Sequence, residues 1–136
     1  MSVEPGNIAL KRIYDDPADD DGCRVLVDRL WPRGVSTERA RLDAWLKEIA
    51  PSTELRRWFH NGGGFDEFAL RYRAELDGNP ASVQAVAELR ALAAERAPVR
   101  VTLLYGARER RDNHARVLAE YLGADLAEPA ETPSQV

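Results

Sequence analysis

The run Cys23-Arg24-Val25-Leu26-Val27-Asp28-Arg29-Leu30-Trp31-Pro32-Arg33-Gly34 constrains the fold more than any other stretch of the chain. Its β-branched, apolar start predicts a strand buried on both faces, as in parallel sheets covered by helices. Pro32 and Gly34 interrupt the chain, and Ser36 opens the next helical pattern. The strand is expected to run through about Arg29, which leaves Arg29, Trp31 and Arg33 at or just past its carboxyl end. Ligands of open α/β sheets usually bind there.

A second clear strand is Val99-Arg100-Val101-Thr102-Leu103-Leu104-Tyr105, after Pro98. Gly106 to Arg111 reads as a loop. Asp112 is placed to cap a last helix that carries Ala115, Leu118, Ala119 and Leu122 on one face and stops at Gly123. Ile8 to Tyr14 reads as a further strand. Helical patterns fill the interval between the two clear strands. Ser36 is a candidate N-cap for a helix to about Ala50, because Leu42, Trp45, Leu46 and Ile49 recur at helical spacing. Pro51 stops it, and Ser52 or Thr53 caps a shorter helix with Leu55, Trp58 and Phe59. His60-Asn61-Gly62-Gly63-Gly64 reads as a helix stop and turn, since no Lys and no preceding strand support a phosphate loop. Phe65, Phe68, Ala69, Tyr72 and Leu76 form another stripe, and residues 81–96 a longer alanine-rich helix.

Asp15 to Gly22 is a turn-rich connection that looks too acidic to be buried. Its likeness to a calcium loop is superficial, because Pro17 stands where an acidic ligand is needed. Strands separated by helices define an α/β fold. The expectation is a single compact domain over residues 1–126, with a small, mostly parallel sheet flanked by about five helices. Residues 127–136 are expected to be a disordered tail.

A chain of 136 residues that is 44% apolar can build a core without a disulfide or a metal. Cys23 is the only cysteine, so no internal disulfide forms, and a reducing cytoplasm is the natural location. No apolar run approaches the roughly 20 residues of a membrane span, and no signal-peptide pattern opens the chain. The net charge of −4 argues against broad binding to nucleic acid, although Arg108, Arg110, Arg111 and Arg116 cluster locally.

A parallel arrangement brings both carboxyl ends of the clear strands to one edge. Arg29, Trp31 and Arg33 come from the first, and Tyr105, Arg108, Asn113 and His114 from the second. Guanidinium forks at Arg29 and Arg33 suit a phosphate or carboxylate, Trp31 and Tyr105 supply walls, and Asn113 orients the ligand. His114, in a first helical turn, donates to an anion or moves a proton. Structural readings stay open for each. Arg29 can pair with Asp28 or Glu48, Trp31 can be a core lid, and His114 can be a satisfied structural histidine. The pattern points to a small anionic ligand, with or without acid/base catalysis. The alternative is a regulatory module that binds nucleic acid through Arg108–Arg116, or a protein through Trp31 and Trp58. Cys23 and Arg29 match the Cys-x5-Arg spacing of phosphatase loops, but strand residues intervene where a glycine-rich nest is needed. No motif implies a cofactor or a metal.

Several motifs carry a family resemblance: Asp28-Arg29-Leu30-Trp31-Pro32-Arg33-Gly34, Trp45-Leu46-Lys47-Glu48 with Ala50-Pro51-Ser52, and Leu55-Arg56-Arg57-Trp58-Phe59. Phe68-x3-Tyr72-x2-Glu75-Leu76 and Leu103-Leu104-Tyr105-Gly106-Ala107 with Asn113-His114-Ala115 extend it over residues 8–122. On these the chain is identified as a member of the YeaO-like family, a bacterial domain-of-unknown-function family. The resemblance implies a compact α/β single domain and carries over no activity. More distant relatives look similar at the same strand ends, but have a cysteine where Tyr105 stands and Cys-His-Arg near Asn113-His114. Tyr105 and Asn113 then replace both thiols, so the resemblance does not imply thiol chemistry or metal ligation here.

Overall fold

The two apolar runs become the inner strands of the sheet, where burial on both faces is complete. The computed structural model describes residues 7–123. Its four strands are β1 (Ile8–Arg12), β2 (Cys23–Leu26), β3 (Ala44–Trp45) and β4 (Val101–Tyr105). They lie in the order β1-β4-β2-β3 and all neighbours are parallel. Five helices complete a compact α/β fold: α1 (Thr37–Ala40), α2 (Thr53–His60), α3 (Phe65–Gly78), α4 (Pro80–Arg96) and α5 (His114–Tyr121). Residues 127–136 and the first six residues lie outside the described part. None of the described helices is long and apolar enough to cross a membrane.

Strand periodicity sorts the core into two layers. Cys23, Val25, Val27, Val101, Leu103 and Tyr105 join residues of α2–α5 in the larger cluster. Leu26 and Leu104 point the other way, into a smaller cluster with Ile13, Val35 and Ala40. Capping follows the short polar residues that precede the helices. The side chains of Ser36, Ser52 and Asn79 each accept a hydrogen bond from a first-turn amide, at 3.0, 3.1 and 3.0 Å.

Three local expectations are overturned. The helix proposed from Ser36 to Ala50 ends after Ala40, where Arg41 adopts a left-handed φ of 49°. Ala44 and Trp45 then pair with Val25 and Leu26, and a 3-10 turn covers Lys47–Ile49. The open edge of β2 needs hydrogen-bond partners, and this pairing supplies them. The apolar residues accordingly split between faces: Leu42 and Trp45 pack on the smaller cluster, Leu46 and Ile49 on the larger. The second correction concerns Asp21, which is buried despite its acidic neighbours. Lys11 and Arg24 both donate to its carboxylate. Burial pushes the Asp21 pKa up, but bonds from Lys11, the Ala18 amide and Arg24 outweigh it and hold it below the usual value. Third, Asn113 rather than Asp112 caps α5: its Oδ1 accepts the Arg116 N–H at 3.0 Å.

Candidate ligand-binding cavity at the strand ends

The parallel pairing of β2 with β4 delivers both carboxyl ends to the same edge, as the crossover predicts. Past Leu26 the chain runs through Val27, Asp28 and Arg29. Past Tyr105 it turns at Gly106 towards α5. The two ends are stitched together where the Gly106 N–H donates to Asp28 Oδ2 at 2.9 Å. A Cβ at Gly106 would stand 2.9 Å from that oxygen, so a larger residue would displace the Asp28 carboxylate. Trp45 Nε1 donates to the Asp28 carbonyl at 2.7 Å and fixes the same residue from the β3 side.

Above these ends lies a cavity of about 750 Å³, within the usual range for small-molecule sites, roughly 300–1,000 Å³. Residues 28–32 form one side, residues 106–114 another, and α2 with the start of α3 the third. Phe59, Phe65 and Phe68 form an aromatic wall, with the Phe59 and Phe68 rings stacked at 4.4 Å. At the base, His114 Nε2 lies 3.0 Å from the Val27 carbonyl oxygen and 3.2 Å from Asp28 Oδ1. The His114 ring meets Tyr72 edge-on at 6.1 Å. Tyr72 donates to the Ile49 carbonyl at 2.6 Å, and burial pushes its phenol well above the usual pKa.

The cavity receives some of the residues expected from sequence and not others. Arg29, Trp31, Arg108, Asn113 and His114 line it. Arg29 is nonetheless committed: it donates to the carbonyls of Pro51 (3.3 Å) and Ala50 (3.1 Å) and pairs with Glu48 at 3.3 Å. Its guanidinium fastens the segment after β3 to the strand end, which is the salt-bridge alternative. Trp31 donates to the Val35 carbonyl at 2.7 Å and meets Trp45 edge-on, so it is both wall and lid of the smaller core. Asn113 is buried and doubly used, its Nδ2 donating to the Glu109 carbonyl at 2.8 Å while Oδ1 caps α5. Both ends of its amide are thus engaged within the fold, one of them at the start of the helix that carries His114.

Two expected residues lie elsewhere. Tyr105 belongs to the helix-side core and is absent from the cavity lining, because it shares the period of Val101 and Leu103. Arg33 is exposed and outside the cavity; past Pro32 the chain has already turned away, and its carbonyl accepts the Tyr14 hydroxyl at 2.9 Å. Two arginines of the basic cluster are paired with acids within the fold. Arg110 grips Asp15 through two bonds of 2.9 Å, and Arg116 pairs with Glu120. The Arg110 bond holds the Asp15 carboxyl below its usual value. Cys23 is buried at the start of β2, at the opposite end from the cavity, and burial pushes its thiol up.

Other lining residues had gone unassigned. Arg56, Phe59 and His60 stand at i, i+3 and i+4 on α2 and all line the cavity. Arg56 is half-buried there, and its guanidinium makes no hydrogen bond or ion pair among the described residues. That spacing was the available signal. Asp28 anchors the strand ends and faces His114, a role its sequence context does not mark.

Comparison with known proteins gives the family. The family model described as "Inactive DUF488-N3 subclade" matches residues 7–136. The chain belongs to the YeaO-like DUF488 family. It is 44% identical to the uncharacterized protein YeaO of Escherichia coli K12 over 117 residues, covering 85% of this chain and 96% of that one. It is 42% identical over 121 residues to uncharacterized proteins Mb3100c of Mycobacterium bovis and Rv3073c of Mycobacterium tuberculosis, covering 88% of this chain and 97% of each. No solved structure matches.

Proposed function

We propose that this DUF488 protein is a cytoplasmic binding protein for a small anionic metabolite, one bearing a phosphate or carboxylate, taken in the cavity at the ends of β2 and β4. The observation that carries the reading is Arg56, a half-buried guanidinium on the cavity wall without an acidic partner among the described residues. A partly desolvated cation gains most from an anion that reaches it away from bulk water. Arg108 adds a second positive charge at the exposed rim. Three acids also line the cavity: Asp28 accepts from Gly106, Glu109 accepts the Arg111 N–H at 3.1 Å, and Asp112 is exposed.

Binding without turnover is the better-supported form. The matched subclade is itself described as inactive.

The test is a thermal-shift panel of phosphate, sulfate, nucleoside monophosphates and small carboxylates on the wild type, Arg56→Ala and Arg33→Ala. A ligand at about 100 times its Kd adds roughly 2.7 kcal/mol. The expected pattern is a shift in the wild type and in Arg33→Ala that disappears in Arg56→Ala. No shift with any anion, or an equal shift in Arg56→Ala, overturns the proposal.

A further inference from the structure

The base of the cavity divides its hydrogen-bonding capacity unevenly. Asp28 Oδ2 takes the Gly106 N–H, whereas Oδ1 is buried and accepts no well-formed bond among the described residues. His114 Nε2 lies 3.2 Å from that Oδ1 and 3.0 Å from the Val27 carbonyl oxygen. Two acceptors therefore converge on one ring nitrogen, and neither has a proton to give. A lone pair on Nε2 would face both oxygens and be repelled, so the proton belongs on Nε2, shared between them.

A neutral imidazole carries one proton, and with Nε2 holding it, Nδ1 bears a lone pair. Nδ1 makes no hydrogen bond among the described residues, and the ring lines the cavity with 14% of its side chain exposed. Tyr72 closes the ring's edge on the core side. Nδ1 is thus the atom of His114 left for a ligand.

We infer that His114, positioned by Asp28 and the Val27 carbonyl, presents Nδ1 to the cavity as a hydrogen-bond acceptor, so that the ligand is a flat organic anion carrying an N–H or O–H donor. This inference rests on the proposed anion binding at Arg56 and adds the rest of the ligand to it. The stacked Phe59–Phe68 pair with Phe65 offers the flat body an apolar face. Bare sulfate or phosphate satisfies only the arginine end. An anion of the right shape that lacks the donor leaves Nδ1 dry and unpaired, which is a penalty against it.

The test joins a spectroscopic reading of the free protein to a matched pair of probes. Nitrogen-15 NMR of the histidines at pH 8.5, where imidazole is ordinarily neutral, should report His114 as the Nε2–H tautomer. Calorimetry then compares indole-3-acetate with benzofuran-3-acetate, which keeps the anion and the ring but replaces the N–H by oxygen. The expected result is tighter binding of the indole by about tenfold, with both probes weakened in Arg56→Ala.

An Nδ1–H tautomer, or a ring still doubly protonated at that pH, overturns the inference whatever binds. So does equal affinity for the two probes. If the equal affinities still fall in Arg56→Ala, the anion reading stands while this one fails. Failure of indole-3-acetate to bind also overturns the inference, and anion binding is then judged by its own panel.

Discussion

Asn113 offers the sharpest check on how the cavity is held together. Its side chain makes two part-buried bonds, one to the Arg116 N–H at 3.0 Å and one to the Glu109 carbonyl at 2.8 Å. Asn113→Ala removes both. Loss of an N-cap costs about 1 kcal/mol, and loss of the donor to a part-buried carbonyl about another 1 kcal/mol. The sum is about 2 kcal/mol, or a fall of roughly 8 °C in Tm if each kcal/mol moves a domain of this size by about 4 °C. Asn113→Ser separates the two contributions, since serine still caps the helix but cannot reach Glu109; its expected cost is about 1 kcal/mol. Urea unfolding of the three proteins, with slopes compared to confirm a common transition, gives the numbers directly. An alanine variant within 0.5 kcal/mol of wild type, a threshold set at about the noise of surface substitutions, would refute the reasoning. So would a serine variant less stable than the alanine.

Two further outcomes follow from buried polar groups. Tyr72→Phe strips the 2.6 Å bond to the Ile49 carbonyl inside the core and should cost about 1–2 kcal/mol, read by urea unfolding; a neutral substitution would mean that the bond has no net worth. Asp21 and Asp15 are both held below their usual pKa by their basic partners, so their contribution is complete above about pH 4 and is lost as pH falls through the lowered folded values. Unfolding midpoints should therefore drop on acidification below pH 4, and Asp21→Asn should flatten that dependence while lowering stability at pH 7. A wild-type profile that stays level down to pH 3 would contradict this.

Patterns confined to a few residues determined much of the molecule. The apolar runs at 23–27 and 101–105 specify inner strands, since nothing else buries both faces of so short a segment. Ser36 and Ser52 mark helix starts, because a cap needs only its own first turn. The parallel approach of the two strand ends, and hence the place of the cavity, follows from helices lying between the strands. Residues 41–50 show where such patterns stop. Their apolar spacing fits a helix, yet they lie along the free edge of β2, and that edge is 19 residues distant at its contact between Asp43 and Arg24.

Only the tertiary structure decided which arginines at the cavity are left without a partner. Arg29 and Arg33 sit in the most distinctive motif, but one is consumed by the carbonyls of Ala50 and Pro51 and the other has turned to solvent. Arg56, on α2, lines the space they were expected to fill. Asp28 and His114 are 86 residues apart (114 − 28), and their meeting depends on the register of β2 against β4 and on Asn113 starting α5 where it does. Local sequence determines which conformations each segment prefers. Which charges remain unpaired is a property of the assembled fold, because each can be neutralised only by groups that folding brings near it.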